Sequence, residues 1–194
     1  MCIRDSVMYD GNIVVGDILE QMRRPTQAID NGQGHIILET TNNEIYNRKT
    51  IGKITQGKEE HWYWKKWLHS VKGRQKAFWL PSFSKDLKIL SPIYATETGV
   101  DIKETGIATY GKFPIVTRLK LKNGTIFYRK IQSATTTVDG ENVIIDSSLG
   151  QDVTIDDIET WSFMNLVRLD ADDIRMEYDG RNMTCNIPAK EVLN

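Results

Sequence analysis

Three short glycine turns set the strongest limit on what this chain can fold into. Asn123-Gly124 divides "PIVTRLKLKNGTIFYRKI", Asp139-Gly140 divides "TTTVDGENVIID", and Asp179-Gly180 sits in "YDGRNM". Apolar and polar residues alternate on both sides of the first two pairs, the period of a strand with one face in a core. An Asn-Gly or Asp-Gly pair so placed is the strongest short hairpin signal, because both central residues tolerate positive φ. From Ser91 onward the sequence therefore reads as almost wholly β. Strands recurring roughly every eight to twelve residues fit a sandwich or a small barrel.

Ahead of that region one helix is expected. Trp64, Trp67, Leu68 and Val71 fall at i, i+3, i+4 and i+7, a single apolar stripe. Glu59 and Glu60 suit the positive N-terminal end of its dipole, Lys72 its C-terminal end, and Gly73 its C′ stop. "HIILET" at 35–40, "IYNRKTIGKIT" at 45–55, "KAFWLP" at 76–81 and "DLKIL" at 86–90 read as strands. Residues 12–25 fit a helix face and a strand alternation equally, and "IDNGQGH" before residue 36 is a glycine turn. "TIDD" at 154–157 carries a capping-box pattern for one short helical turn. "TWSFMNLVRL", "DIRMEYDG" and "MTCNIPAKEVL" supply the last three strands. The expected fold is mainly β with one amphipathic helix: a sheet-plus-helix lobe over 7–90, then an all-β sandwich or small barrel over 91–194.

The 194 residues carry a net charge of −1, with 40% hydrophobic and 26% charged residues, an ordinary globular composition. That balance excludes a strongly basic nucleic-acid binder on global grounds. No run of apolar residues is long enough to span a bilayer as a helix. Residues 1–6, "MCIRDS", reverse-translate to ATG TGT ATA AGA GAC AG, the end sequence of transposon-based library preparation. They are expected to be a translated adapter, with the natural N-terminus missing, and a genomic start codon encoding the same six residues would refute this. Cys185 is then the one native cysteine, too few for an internal disulfide.

Catalytic patterns are sparse. The chain holds no G-x-S-x-G, no P-loop and no H-E-x-x-H. Cys185 lies in an alternating strand and reads as a small hydrophobe. His35, His61 and His69 are not at metal-ligand spacing, and "GQGH" at 32–35 lacks the following helix and third glycine of a dinucleotide loop. Asp170, Asp172 and Asp173 in "RLDADD" could offer oxygens to a divalent cation, but a polar bend whose aspartates cap backbone N–H groups is the plainer reading. The expectation is no enzyme, no cofactor and no bound metal.

Trp62, Trp64 and Trp67 fall within six residues, and the segment Arg48–Lys76 carries a local charge of +7. A nucleic-acid platform would combine aromatic faces with such cations. Trp64 and Trp67, however, share their stripe with Leu68 and Val71, which makes them core residues. Trp62 and Tyr63 point elsewhere, and with Lys65 and Lys66 they are the candidate interface residues. Residues 139–179 hold twelve Asp/Glu against Arg168 and Arg175, a local charge of −10. Basic and acidic stretches of one chain can meet between copies, head to tail, in a ring.

At "SVKGRQKAFWLPSFSKDLKIL" the sequence resembles small tail proteins of long-tailed phages and prophages. The matching pieces are the aromatic helix Trp64 to Val71, Gly73-Arg74, Ala77 to Pro81, and Asp86-Leu87. "TWSFMNLVRLDADDIRMEY" and "PAKEV" at Pro188 to Val192 also look like that group's C-terminal signature. The likeness spans about residues 20–194, loosely in the middle, and lacks the usual first strand. It is similar in plan to distal-tail and tail-tip components, including those of gene transfer agents. It implies a structural virion component at the tail end, made in the host bacterial cytoplasm. Its implied partners are other tail proteins and copies of itself, with no nucleic acid and no membrane. The alternative is a β-sandwich module gripping carbohydrate or another host-surface ligand; a further rival is a hydrolase accessory domain using Asp170, Asp172 or Asp173.

Overall fold

The computed structural model describes residues 7–8, 19–23, 26–29, 37–40 and 46–192. The expectations for residues 1–6, for 12–18 and for the glycine turn at 30–35 lie outside the described residues. In chain order the elements are β1 (Leu19–Arg23), β2 (Thr26–Ile29), β3 (Ile37–Thr40), β4 (Tyr46–Gln56), α1 (Lys58–Val71), β5 (Ala77–Pro81) and β6 (Gly99–Ile102). A single-turn α2 (Ile107–Tyr110) follows, then β7 (Ile115–Leu121), β8 (Ile126–Thr136), β9 (Glu141–Ile145), β10 (Ile158–Leu169), β11 (Met176–Asp179) and β12 (Asn182–Glu191). The protein is mainly β, with one helix of 14 residues, as the sequence pattern implies.

The chain forms two compact units, and their division does not follow a single cut near residue 90. Trp79–Asn165 belongs to one unit, the insert unit; the described parts of Met8–Phe78 and Leu166–Asn194 form the other, the helix unit. The reason is one long-range pairing. β12 runs antiparallel to β4 over nine residue pairs, from Asn182↔Gln56 to Lys190↔Arg48. No local pattern reports a partner some 130 residues away; periodicity specifies only that each segment is a strand.

In the helix unit, β4 lies between β1 and β12, and the other edge of β12 carries β11 and then the end of β10. Alternation sends Ile51, Lys53 and Thr55 of β4, and Met183, Cys185, Ile187 and Ala189 of β12, to one buried face. The facing pairs are Ile51↔Ile187, Lys53↔Cys185 and Thr55↔Met183. β2 and β3 make a separate antiparallel pair. β11 and β12 form the expected hairpin at Asp179-Gly180, with only Gly180 at positive φ, 58°, the pattern of a II′ turn.

In the insert unit the sheet order is β10-β7-β8-β9-β6, antiparallel throughout. Its inward residues, among them Ile102, Leu119, Ile131, Val143 and Trp161, form one contiguous core. The β7–β8 hairpin turns at Asn123-Gly124, but only Gly124 takes positive φ, 87°, so the loop is not the two-residue turn in which both residues do. Instead the Gly124 N–H closes on the Leu121 carbonyl at 2.9 Å and Asn123 Oδ1 accepts from the Thr125 N–H. At Asp139-Gly140 neither residue is left-handed. Glycine is needed there for space: a Cβ at position 140 would lie 2.2 Å from the Ile102 carbonyl oxygen. "DLKIL" forms no regular strand. It bridges β6 at Ile89↔Ile102 and is held by the Leu87 N–H on the Trp161 carbonyl at 3.0 Å. Asp86 accordingly accepts from the Phe163 N–H at 2.8 Å and from the hydroxyls of Ser82 and Ser84, which pins the turn containing Phe83 at φ 60°.

Candidate functional site

Helix α1 has an inner and an outer face. The inner face is an aromatic column. Trp64, 1% exposed, stacks on Trp67 with ring centroids 4.7 Å apart and 14° between planes. Trp67 in turn meets the edge of buried Phe78 at 5.0 Å and 83°. Beneath the column the Lys53 Nζ lies 5.8 Å from the Trp64 ring. Trp64 and Val71 are buried as the stripe requires, while Trp67 and Leu68 are half-buried. Lys53 corrects the simple view of the +7 segment: one of those charges is 1% exposed and packs against an indole. Burial pushes the neighbouring Cys185 thiol up, and Trp64 and Lys53 offset that only in part, which leaves a protonated, unreactive cysteine.

The helix ends on a second fixed point. Lys72 and Gly73 are both left-handed, at φ 52° and 59°. A Cβ on Gly73 would lie 2.6 Å from Asp172 Oδ1, which accepts the Arg74 N–H at 3.1 Å. The Arg74 side chain also reaches the Asp172 carboxylate at 3.6 Å, and Arg48 pairs with Asp170. The aspartates of "RLDADD" thus tie the bend after β10 to the helix end and to β4, the backbone-capping role anticipated for them. Part of the acidic stretch and part of the basic segment neutralise each other inside this one unit, so the two are not wholly separate faces. No group of three His, Cys, Asp or Glu among the described residues is placed to hold a metal ion.

The outer face carries the candidate interface residues. Trp62 is 70% and Tyr63 50% exposed, and Lys66 is exposed beside them. The Lys65 Nζ lies 5.5 Å from the Trp62 ring and 5.5 Å from the ring of Tyr178 in β11, itself 55% exposed. His61 meets Tyr178 edge-on at 6.0 Å and donates from Nε2 to the Thr55 carbonyl at 3.2 Å. One cation therefore spans two aromatic rings from different elements, and the histidine anchors one ring to β4. Tyr178 and His61 were not anticipated as members. Tyr178 stands next to the Asp179-Gly180 turn, where an outward aromatic in a hairpin was readable, but its approach to α1 depends on the β4–β12 pairing.

An exposed tryptophan beside an exposed tyrosine, fixed on regular elements, presents the aromatic residue types enriched at protein-binding hot spots, with Lys65 as a charged neighbour. No helix among the described residues is long and apolar enough to cross a membrane. No protein-family model matches this chain, and no curated protein matches it.

Proposed function

We propose that this chain is a structural assembly protein, a component of the distal end of a phage tail, that docks other tail proteins through the outer face of α1 and performs no chemistry of its own. The observation that carries the docking part is the Trp62–Lys65–Tyr178 cluster. Water-exposed aromatic area on rigid elements loses little side-chain entropy on association, and its burial drives binding. The tail assignment rests on the sequence resemblance and is supported by the β-rich fold around an aromatic helix. Within that resemblance, "GR" and "DL" have structural roles: Gly73 and Arg74 receive Asp172, and Asp86 fastens the Ser82–Ser84 turn.

The carbohydrate-binding alternative would need a bare aromatic face for a sugar ring. Lys65 lies over one face of Trp62 and leaves the other to solvent, so the preference for a protein partner rests on the resemblance and not on this ring. Two measurements test the proposal. Gold-labelled antibody against the chain should decorate purified particles at the tail end away from the head; decoration of no particle, or of heads, refutes the tail assignment. Trp62→Ala with Lys65→Glu should fold normally yet fail to enter particles. Incorporation at wild-type level would remove the outer face of α1 from the account.

A further inference from the structure

The insert unit carries a slot of about 270 Å³ between the run Lys85–Ile89 and the run 155–161. Its lining is largely apolar. Leu87, Ile89 and Trp161 are buried, Ile158 is half-buried, and Ile155 leaves 52% of its surface in water. Lys85, Lys88 and Lys103 stand exposed around it. The carboxylate in the lining, Glu159, is bonded to Lys120 at 2.8 Å. No ion pair among the described residues engages the three rim lysines. The slot is thus an apolar cleft with an unneutralised cationic edge.

Its walls are tied down. Besides the Leu87–Trp161 bond, the Lys103 N–H donates to the Lys88 carbonyl at 2.8 Å, and the Leu90 N–H to the Asp101 carbonyl at 2.8 Å. Opposite, Thr154 and Asp157 form the expected capping box: Asp157 Oδ2 accepts from the Thr154 N–H at 2.9 Å and from its hydroxyl at 2.6 Å. The Thr154 hydroxyl and N–H, with Lys122 assisting, hold the Asp157 carboxyl below its ordinary range, so the turn that presents Ile155 keeps this cap to lower pH than an ordinary aspartate would allow. A cleft that needs no rearrangement loses least on binding.

We propose that this slot is a docking site for an acidic peptide segment of a partner protein, one that inserts a single large apolar side chain while flanking carboxylates meet Lys85, Lys88 and Lys103. The volume suits one aromatic or long aliphatic side chain. Buried apolar anchors supply most of the affinity at such sites, and rim charges supply orientation and speed of encounter. Inside the rim lysines and the ion-paired Glu159, the lining offers only the Thr160 hydroxyl and the Trp161 indole N–H as polar side-chain groups, so a sugar or a nucleobase edge seated there would meet few hydrogen-bonding partners. This inference is independent of the role given to the outer face of α1.

The test is fluorescence anisotropy of the full chain with a labelled peptide of one phenylalanine flanked on each side by two glutamates. Saturable binding that weakens with added salt is expected. Lys88→Glu and Lys103→Glu should each weaken it about five- to tenfold, since each reverses one rim charge. Ile155→Asp, on an exposed turn, should weaken it with an unchanged circular dichroism spectrum. Replacing the peptide's phenylalanine by alanine should cost at least about tenfold. No saturation up to about 1 mM peptide overturns the proposal. Equal affinity for the alanine peptide, or undiminished binding by the Lys88→Glu, Lys103→Glu double variant, does so as well. Tighter binding of dodecanoate or of a single-stranded oligonucleotide than of the acidic peptide overturns the assignment to a peptide.

Discussion

Replacing Glu141 should injure the insert unit more than its place on a surface hairpin suggests, and glutamine should rescue little. Glu141 opens β9 and is 2% exposed. Its Oε2 accepts from the Thr105 N–H at 3.0 Å and the Thr105 hydroxyl at 2.7 Å; its Oε1 accepts from the Ala108 N–H at 2.9 Å. The receiving segment is the start of α2, whose N-cap Gly106 has no side chain to do this. Glu141 therefore caps a helix from another strand. In Glu141→Ala two amide donors are stranded at about 1–3 kcal/mol each, and the buried γ-methylene is lost too, for a total of about 4 kcal/mol. In Glu141→Gln the amide nitrogen must face one of the donors, so at least about 2 kcal/mol is lost despite the matched shape. Burial raises the carboxyl's pKa, but the hydrogen bonds from Thr105, Ala108 and Ile107 outweigh it, and the net direction is downward. A depressed carboxylate stabilises the fold above its unfolded pKa, and that stabilisation is lost as pH falls through the folded one. The difference between wild type and Glu141→Gln should accordingly shrink below about pH 4.3, the ordinary glutamate value. Urea unfolding followed by circular dichroism, at neutral pH and at about pH 3, measures both effects. A Glu141→Gln protein within about 0.5 kcal/mol of wild type, or a difference that stays constant across that pH range, would refute the reasoning.

Three further outcomes are expected. Gly140→Ala forces a methyl against the Ile102 carbonyl at 2.2 Å and should cost about 2 kcal/mol or more in urea unfolding; a neutral result would mean the turn can shift freely. Trp64→Ala should cost about 3–5 kcal/mol, whereas Trp62→Ala should stay within about 0.5 kcal/mol of wild type, so equal effects would contradict the inner and outer faces assigned to α1. In a Cys2→Ser background, Cys185 should resist a thiol-specific reagent until the chain is unfolded, because it is both covered and held protonated; a rapid full reaction of the native protein would count against that burial.

Local chemistry was readable from the residues; distant geometry was not. The stripe Trp64–Val71 announces its helix because an amphipathic period of 3.6 is a property of adjacent residues. The three glycine turns announce hairpins for the same reason, yet their glycines act differently. Gly124 and Gly180 supply backbone conformations, while Gly140 supplies only clearance for a carbonyl that arrives from β6. Pattern cannot distinguish these cases, since the colliding atom lies far away in sequence. Lys53 misleads in the opposite sense. In a run of basic residues it counts as solvated charge, but strand alternation beside Ile51 and Thr55 places it under Trp64. The candidate interface shows the same division: Trp62, Tyr63, Lys65 and Lys66 follow from one helix, whereas Tyr178 needs β11 to be brought to α1.

The return of β12 to β4 gives synthesis on the ribosome an unusual order. Residues of the insert unit emerge, with all their sheet partners β6–β9 and most of β10, before the inner strand of the helix unit has been translated. Nascent β4 and α1 must wait with the faces of Ile51 and Trp64 uncovered. A premature stop between residues 166 and 182 would thus release a chain with a complete insert and a half-built remainder, prone to capture by chaperones or to aggregation.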